Sequence, residues 1–319
     1  MRRREFITLL GGAAAWPVAA RAQQTERVRR IGILTVVGPA QPAAFREGMA
    51  KLGWIEGRNL QIDLRTSEDG SHLAADADSL VNLHPEVILA LSGAAGRAAQ
   101  RATNTIPIVF VGGGDPAEGS LAGSITRPTG NVTGFGNNFA LLGGKWVELL
   151  KEAAPRITKV ARIYHPDVSL AQGGLAVSAA AGKLGVTVAD TPVRNTDEIE
   201  RAIGAFAAGP NGGLLLSGPY RAENLEAVLR LALRYRLPTM FGAMKLVAPG
   251  LLMSLGPDIV ELDHSAASYV DRILRGAKPT DLPIQYPTRF PLVINLNTAK
   301  AIGLEIPPTL LARADEVIE

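Results

Sequence analysis

Short apolar runs alternate with longer segments of helical period, and this alternation constrains the fold more than any other feature of the sequence. Four runs predict strands with helices between them, and four more repeat the same order roughly 130 residues later. The predicted strands lie at 28–37, 60–66, 87–91 and 108–111, and again at 160–164, 186–189, 214–217 and 238–241. Such alternation is typical of a parallel sheet covered by helices. The sequence therefore predicts an α/β fold of two related Rossmann-like lobes.

The chain continues past the second repeat, and this tail predicts interleaved lobes. A further strand at 251–254, a helix with apolar residues in register from 262 to 273, a strand at 290–295 and a helix beginning at an Asn297 cap are expected. Between the lobes, 126–138 is rich in Gly, Pro, Asn and Thr and predicts a linker. We expect lobe 1 to comprise 28–133 plus about 250–279, and lobe 2 about 134–249 plus about 280–319, joined by a multi-crossing hinge.

The first 22 residues have the composition of an export signal. Three arginines precede a Gly- and Ala-rich apolar stretch at 6–15, and Ala20-Arg21-Ala22 places small residues before Gln23. We expect cleavage between Ala22 and Gln23. Residues 3–7 resemble a twin-arginine motif, although the general secretion route stays open. Because the chain has no cysteine for a lipid anchor, we expect a soluble, unlipidated periplasmic protein with no membrane insertion of the mature chain.

The positive charge of the chain lies in this leader. The formal net charge is +3 and the pI near 9.3, values that raise the question of a nucleic-acid partner. Removing residues 1–22 takes the basic residues from 33 to 29 and the acidic residues from 30 to 29. The mature chain is then neutral overall, which argues against nucleic acid.

Motifs for known catalytic chemistry are absent from the sequence. There is no Gly-x-Ser-x-Gly elbow, His-Glu-x-x-His pair, Walker loop or strand-bound Gly-x-Gly-x-x-Gly. The four histidines are scattered. We therefore expect no catalytic residues, no metal site, no cofactor and no enzymatic activity.

Ligands of open α/β sheets bind beyond the carboxyl ends of the strands, so the residues at those ends are the candidates. In lobe 1, the Ser92 hydroxyl and the amides of Gly93 and Ala94 stand where a helix begins and suit a carboxylate. Asp115, after the fourth strand, suits an ammonium group. The alternatives are that Ser92 is an N-cap and Asp115 a turn residue.

Lobe 2 offers a more aromatic set of candidates. Tyr164, Tyr220 and Phe241 follow or end predicted strands and are expected to form an apolar wall, with Ser217 beside them. Each aromatic residue could instead serve packing alone. The joint placement at strand ends, rather than any one residue, points to a small polar ligand.

Three segments, 101–135, 250–258 and 290–319, resemble the ABC transporter substrate-binding family typified by tryptophan/tyrosine-binding proteins. The resemblance covers essentially the whole mature chain. It implies a type I periplasmic binding fold with three hinge crossings, a small-molecule ligand, delivery to an ABC permease in the inner membrane, and no catalysis. Members of the family often have an aromatic residue at the position of Leu255, an acidic residue near 217–219, and bulkier residues at 112–114.

The expected function is therefore that of a periplasmic solute-binding component of an ABC importer. An amino acid or related carboxylate is the expected ligand. Two other functions stay open at this point, a ligand-sensing partner of a membrane receptor and an exported α/β enzyme.

Overall fold

The computed structural model describes residues 27–36, 41–67, 70–112, 128, 130–136, 139–167, 173–218, 220–242 and 245–319. The expected leader and its cleavage site at Ala22 and Gln23 lie outside these residues, as does Asp115.

In these ranges the first sheet contains five parallel strands in the order β2-β1-β3-β4-β5. Its strands are β1 (Arg29–Thr35), β2 (Leu60–Thr66), β3 (Val87–Leu91), β4 (Ile108–Val111) and β5 (Val132–Phe135), and the helices between them are α1 (Gln41–Lys51), α2 (Leu73–Val81) and α3 (Gly93–Ala102). Every residue of β3 is buried. A continuous apolar run is what a parallel strand covered on both faces requires.

Among the described residues, the second sheet contains seven strands in the order β12-β11-β10-β9-β8-β6-β7. Within the part of the chain that the structure describes, only the β10–β11 pair of this sheet is antiparallel. Its strands are β6 (Lys159–Tyr164), β7 (Thr187–Pro192), β8 (Gly212–Ser217), β9 (Thr239–Phe241), β10 (Met253–Leu255), β11 (Leu292–Asn295) and β12 (Glu316–Ile318). The helices of the second half are α4 (Phe139–Ala153), α5 (Gly173–Lys183), α6 (Thr196–Ala207), α7 (Ala222–Arg234), α8 (Ile259–Leu274), α9 (Leu296–Ile302) and α10 (Pro308–Leu311), with a 3-10 turn at Pro279–Asp281.

The two sheets share one strand order. The sequence β2-β1-β3-β4-β5 in the first sheet matches β7-β6-β8-β9-β10 in the second. The predicted α/β fold with two related parallel lobes is therefore confirmed. In each sheet the order reverses next to the first strand, between β1 and β3 and between β6 and β8, and such a reversal is where open α/β sheets bind ligands.

Helices cover both faces of each sheet. Phe45 and Met49 of α1 and Tyr269 and Val270 of α8 pack on one face of the first sheet, and apolar residues of α2 and α3 pack on the other. Helices α4, α5 and α9 cover one face of the second sheet, and α6 and α7 cover the other. The four apolar layers explain why helical and strand periods alternate along the whole chain.

The chain passes between the sheets three times. After β5 of the first sheet, α4 packs on the second; after β10 of the second sheet, α8 packs on the first. Gln285 then pairs with the end of β5, since its N–H donates to the Gly134 carbonyl and its carbonyl accepts from the Gly136 N–H. Strand β11 follows in the second sheet. The strand near 250 was expected in lobe 1, but β10 lies in the second sheet because it pairs with β9 and β11.

Two further local predictions differ from the structure by more than the end residues of an element. The expected linker at 126–138 contains strand β5, whose residues Val-Thr-Gly-Phe lack the apolar run that identified the other strands. The last long helix is capped by Asn295 rather than by Asn297, because the Asn295 side chain accepts from the Thr298 N–H at 3.0 Å.

Candidate functional site

The reversal point of the first sheet places Ser92 directly after a buried strand. Thr35 at the end of β1 lies in register with Leu91 at the end of β3, and Ser92 follows at the cap of α3. Its Oγ accepts a hydrogen bond from the Ala95 N–H at 3.1 Å. The serine therefore caps the helix, as the structural alternative for this residue predicted.

The backbone of Ser92 has a conformation that serine rarely adopts. Its φ is 146° and its ψ 162°, a region occupied almost only by glycine. The three other described non-glycine residues with positive φ, His84, Asn211 and Arg236, have φ between 52° and 56°, which is ordinary left-handed backbone. Strain of this kind costs about 1–3 kcal/mol and is found most often at ligand-binding sites.

Gly93 and Ala94 form the first turn of α3 beside this strained cap. Both are buried. The first amides of a helix have no acceptor within the helix. The positive end of the helix dipole lies at the same place and favours an anion. The predicted trio of Ser92, Gly93 and Ala94 is therefore brought together at one helix end, where it has donors suited to a carboxylate.

The reversal point of the second sheet brings Tyr164 beside Ser217. These residues end β6 and β8 and lie in register. Both side chains are half-buried. Because neighbouring residues of a strand point to opposite faces, Tyr164 and Ser217 lie on the face opposite Ile163 and Leu216, which belong to the core beneath α6 and α7.

Tyr220 and Phe241 lie with that opposite core. Their ring centroids are 6.3 Å apart, and Phe241 is only 3% exposed. The Tyr220 hydroxyl donates to the Ile163 carbonyl at 2.5 Å, and burial raises the pKa of this phenol well above its ordinary value. The three aromatic residues therefore do not form one wall: Tyr220 and Phe241 contact each other, and Tyr164 stands apart.

Sequence reasoning missed Arg162, the residue on which Tyr164 stacks. The guanidinium carbon lies 4.2 Å from the centroid of the Tyr164 ring, and the Arg162 side chain is only 2% exposed. Its Nε donates to Asp190 Oδ1 at 2.6 Å. An arginine in the middle of the buried strand Lys-Val-Ala-Arg-Ile-Tyr was the signal that could have identified it.

Leu255, one of the positions where the family often differs, packs in the core rather than at a strand-end surface. Its side chain is 7% exposed and belongs to the cluster beneath α4. Its carbonyl accepts a hydrogen bond from the Trp146 indole at 2.9 Å. Leu255 is thus a packing residue whose carbonyl is bound by the Trp146 indole.

Across the described ranges, no group of three or more histidine, aspartate or glutamate side chains is arranged to hold a metal ion. In that same part of the chain, no helix has the length and apolar character needed to cross a membrane.

Comparisons with known proteins agree with this architecture. The family model described as ABC transporter substrate binding protein matches residues 36–318. The tyrosine-binding protein of Clostridioides difficile (strain R20291) is 24% identical over 295 residues, which cover 88% of this chain and 83% of that protein.

Two solved structures are also similar. A conserved domain protein from Vibrio cholerae is 26% identical, with a TM-score of 0.82, covering 91% of this chain and 100% of that one. The ABC domain from Streptococcus pneumonia in complex with L-Trp is 24% identical, with a TM-score of 0.81 and the same coverage. The fold is that of a type I periplasmic binding protein. Because the family model spans nearly the entire described chain, this protein belongs to the ABC transporter substrate-binding protein family.

Proposed function

We propose that this protein is the solute-binding component of an ABC importer, which captures an amino acid or related carboxylate between its lobes. The observation that carries the proposal is the strained cap at Ser92, at the point where the strand order of the first sheet reverses. The names of the similar proteins support the ligand class, because one is called tyrosine-binding and another holds L-Trp.

The ligand carboxylate is proposed to bind at the start of α3. The Ser92 hydroxyl and the first-turn amides supply hydrogen-bond donors, and the helix dipole favours the negative charge. On the second lobe, Tyr164 and Ser217 supply a half-buried aromatic ring and a hydroxyl at the matching reversal point. Asp115 remains a predicted partner for the ammonium group.

The cellular part of the proposal rests on the sequence and the family. Residues 1–22 have the pattern of an export signal, so we propose cleavage before Gln23 and function in the periplasm without a lipid anchor. The bound solute would pass to an ABC permease in the inner membrane, and the protein would bind without chemical turnover.

A ligand screen tests this proposal. The purified chain is heated with each of the common amino acids and with simple carboxylates, and every compound that raises the unfolding midpoint is measured by calorimetry. A ligand at 100 times its Kd should stabilise the protein by about 2.7 kcal/mol. The proposed ligand class is wrong if no amino acid and no carboxylate shifts the midpoint.

A further inference from the structure

Arg162 is a buried cation whose hydrogen bonds are incomplete. Its side chain is 2% exposed, and the Nη2 atom has no hydrogen-bond partner among the described residues. Leaving a buried charged donor without an acceptor is at least as unfavourable as leaving a neutral one. A folded protein keeps such an atom at low cost only if an acceptor occupies the position in its working state.

Two groups beside Nη2 do not accept a hydrogen bond well. The Tyr164 ring stacks on the guanidinium, and the first turn of α5 lies against it: a Cβ added to Gly174 would be 2.7 Å from Nη2. First-turn amides of a helix are themselves donors without helical acceptors. Two sets of donors therefore lie close together, an arrangement that favours an anion.

Asp190 balances the charge of Arg162 only in part. Asp190 lies on β7, the edge strand of the sheet, and its side chain is 50% exposed. Its carboxylate accepts a hydrogen bond from the Arg162 Nε. Water therefore screens this ion pair from one side. Nη2 lies on the same edge of the guanidinium as Nε, and this carboxylate leaves it without a hydrogen bond.

We infer that Arg162 is the anion-binding residue of the second lobe, and that Nη2 binds a carboxylate of the captured solute beside Tyr164 and the start of α5. The inference deepens the proposed function and rests on it for the identity of the solute. Ser92 and Arg162 would then bind the same carboxylate of the solute, one from each lobe. The solute class is accordingly an organic acid or amino acid, and neutral analogues are disfavoured.

The first test measures anion binding without assuming any solute. The unfolding midpoint of the full chain is compared in sodium acetate and in sodium chloride at equal ionic strength, for wild type and Arg162→Met. Methionine keeps an unbranched buried side chain, and the exposed Asp190 is left solvated. Acetate should raise the wild-type midpoint relative to chloride, and this difference should be smaller in the variant, which keeps the carboxylate site at the start of α3. Equal acetate effects in both proteins would overturn the inference.

The second test measures discrimination between an acid and its amide. L-tryptophan and L-tyrosine are compared with their primary amides by calorimetry. Because charge-assisted hydrogen bonds contribute about 1.5–3 kcal/mol, wild type should prefer the acid by about tenfold or more, and Arg162→Met should lose most of that preference. An unchanged preference in the variant would show that Arg162 only supports the fold.

A glycine pair in α5 supplies the matched control. In Gly174→Ala the new methyl group meets Nη2, whereas Gly182 has nothing within 4 Å of its added Cβ. Gly174→Ala should therefore reduce the acid preference, and Gly182→Ala should leave it unchanged. If no amino acid binds any of these proteins, the solute class of the proposed function fails, and the acetate comparison still decides the role of Arg162.

Discussion

Individual residues at the site are recognisable by conformations or burial that their residue types normally avoid. Ser92 occupies backbone space typical of glycine, and Arg162 is an almost fully buried cation. The sequence predicted where the Ser92 hydroxyl and the neighbouring amides lie, because Ser92 directly follows a strand. Its φ, and the stacking of Tyr164 on Arg162, depend on neighbouring strands and could not be predicted from local pattern.

Ser92 gives a prediction in which two small substitutions have different effects. In Ser92→Gly the strain disappears, while loss of the cap costs only a few tenths of a kcal/mol. In Ser92→Ala the strain stays and the cap is lost, at about 1 kcal/mol. In urea unfolding, the free energy of unfolding of Ser92→Gly should therefore exceed that of Ser92→Ala by at least about 1 kcal/mol. This difference is about the value of the relieved strain.

Both Ser92 variants should bind the solute more weakly, because each lacks the hydroxyl. Calorimetry with the ligand found in the screen measures this loss, which for one hydrogen bond to a charged group is about tenfold or more. Wild-type affinity in both variants would mean that Ser92 serves the helix cap alone.

At the scale of elements, the strands that read as continuous apolar runs were predicted best. Strands β3 and β4 begin and end at the predicted residues, because both are buried on two faces. Strand β5 was missed, since its third residue is Gly134 and the segment lies in a loop-like composition. Its pairing with β4 is decided by tertiary contact, which the local sequence does not contain.

Gly134 shows why that strand needs glycine. Its φ is 146°, and a Cβ there would lie 2.1 Å from the Phe110 carbonyl oxygen. Gly134→Ala should therefore separate β5 from β4 and reduce the free energy of unfolding by about 3 kcal/mol or more, as severe backbone conflicts do.

The control for this substitution is Gly130→Ala. Gly130 also has positive φ, at 81°, but nothing lies within 4 Å of its added Cβ. Gly130→Ala should therefore reduce the free energy of unfolding by only about 1–2 kcal/mol, because only the left-handed backbone conformation opposes the new side chain. Equal losses for the two variants in urea unfolding would show that the contact with Phe110 is relieved without cost.

At the scale of the whole molecule, the repeat in the sequence predicted two related lobes, and the structure shows that their two sheets share one strand order. Tyr164, Tyr220 and Phe241 do not form the one wall that the sequence predicted, because alternate residues at strand ends face different helix layers. Tyr164 lies above the layer of Arg162, and Phe241 lies in the layer of α6 and α7.

The three passages of the chain between sheets predict a change of overall shape on binding. If the lobes close on the solute as hinged proteins do, small-angle scattering should give a smaller radius of gyration for the purified chain at saturating ligand than without it. A control compound that does not bind in the screen should leave the radius unchanged. An identical radius with and without the bound solute would contradict closure.

The late position of α8 has a consequence for synthesis of the chain. Tyr269 and Val270 of this helix cover the same face of the first sheet as Phe45 and Met49, so a nascent chain that ends before residue 259 leaves that face open to water. The second sheet is likewise incomplete until β12, at Glu316–Ile318, leaves the ribosome. The core of the first lobe is therefore completed only after α8 has been made, although strands β1–β5 all precede residue 136.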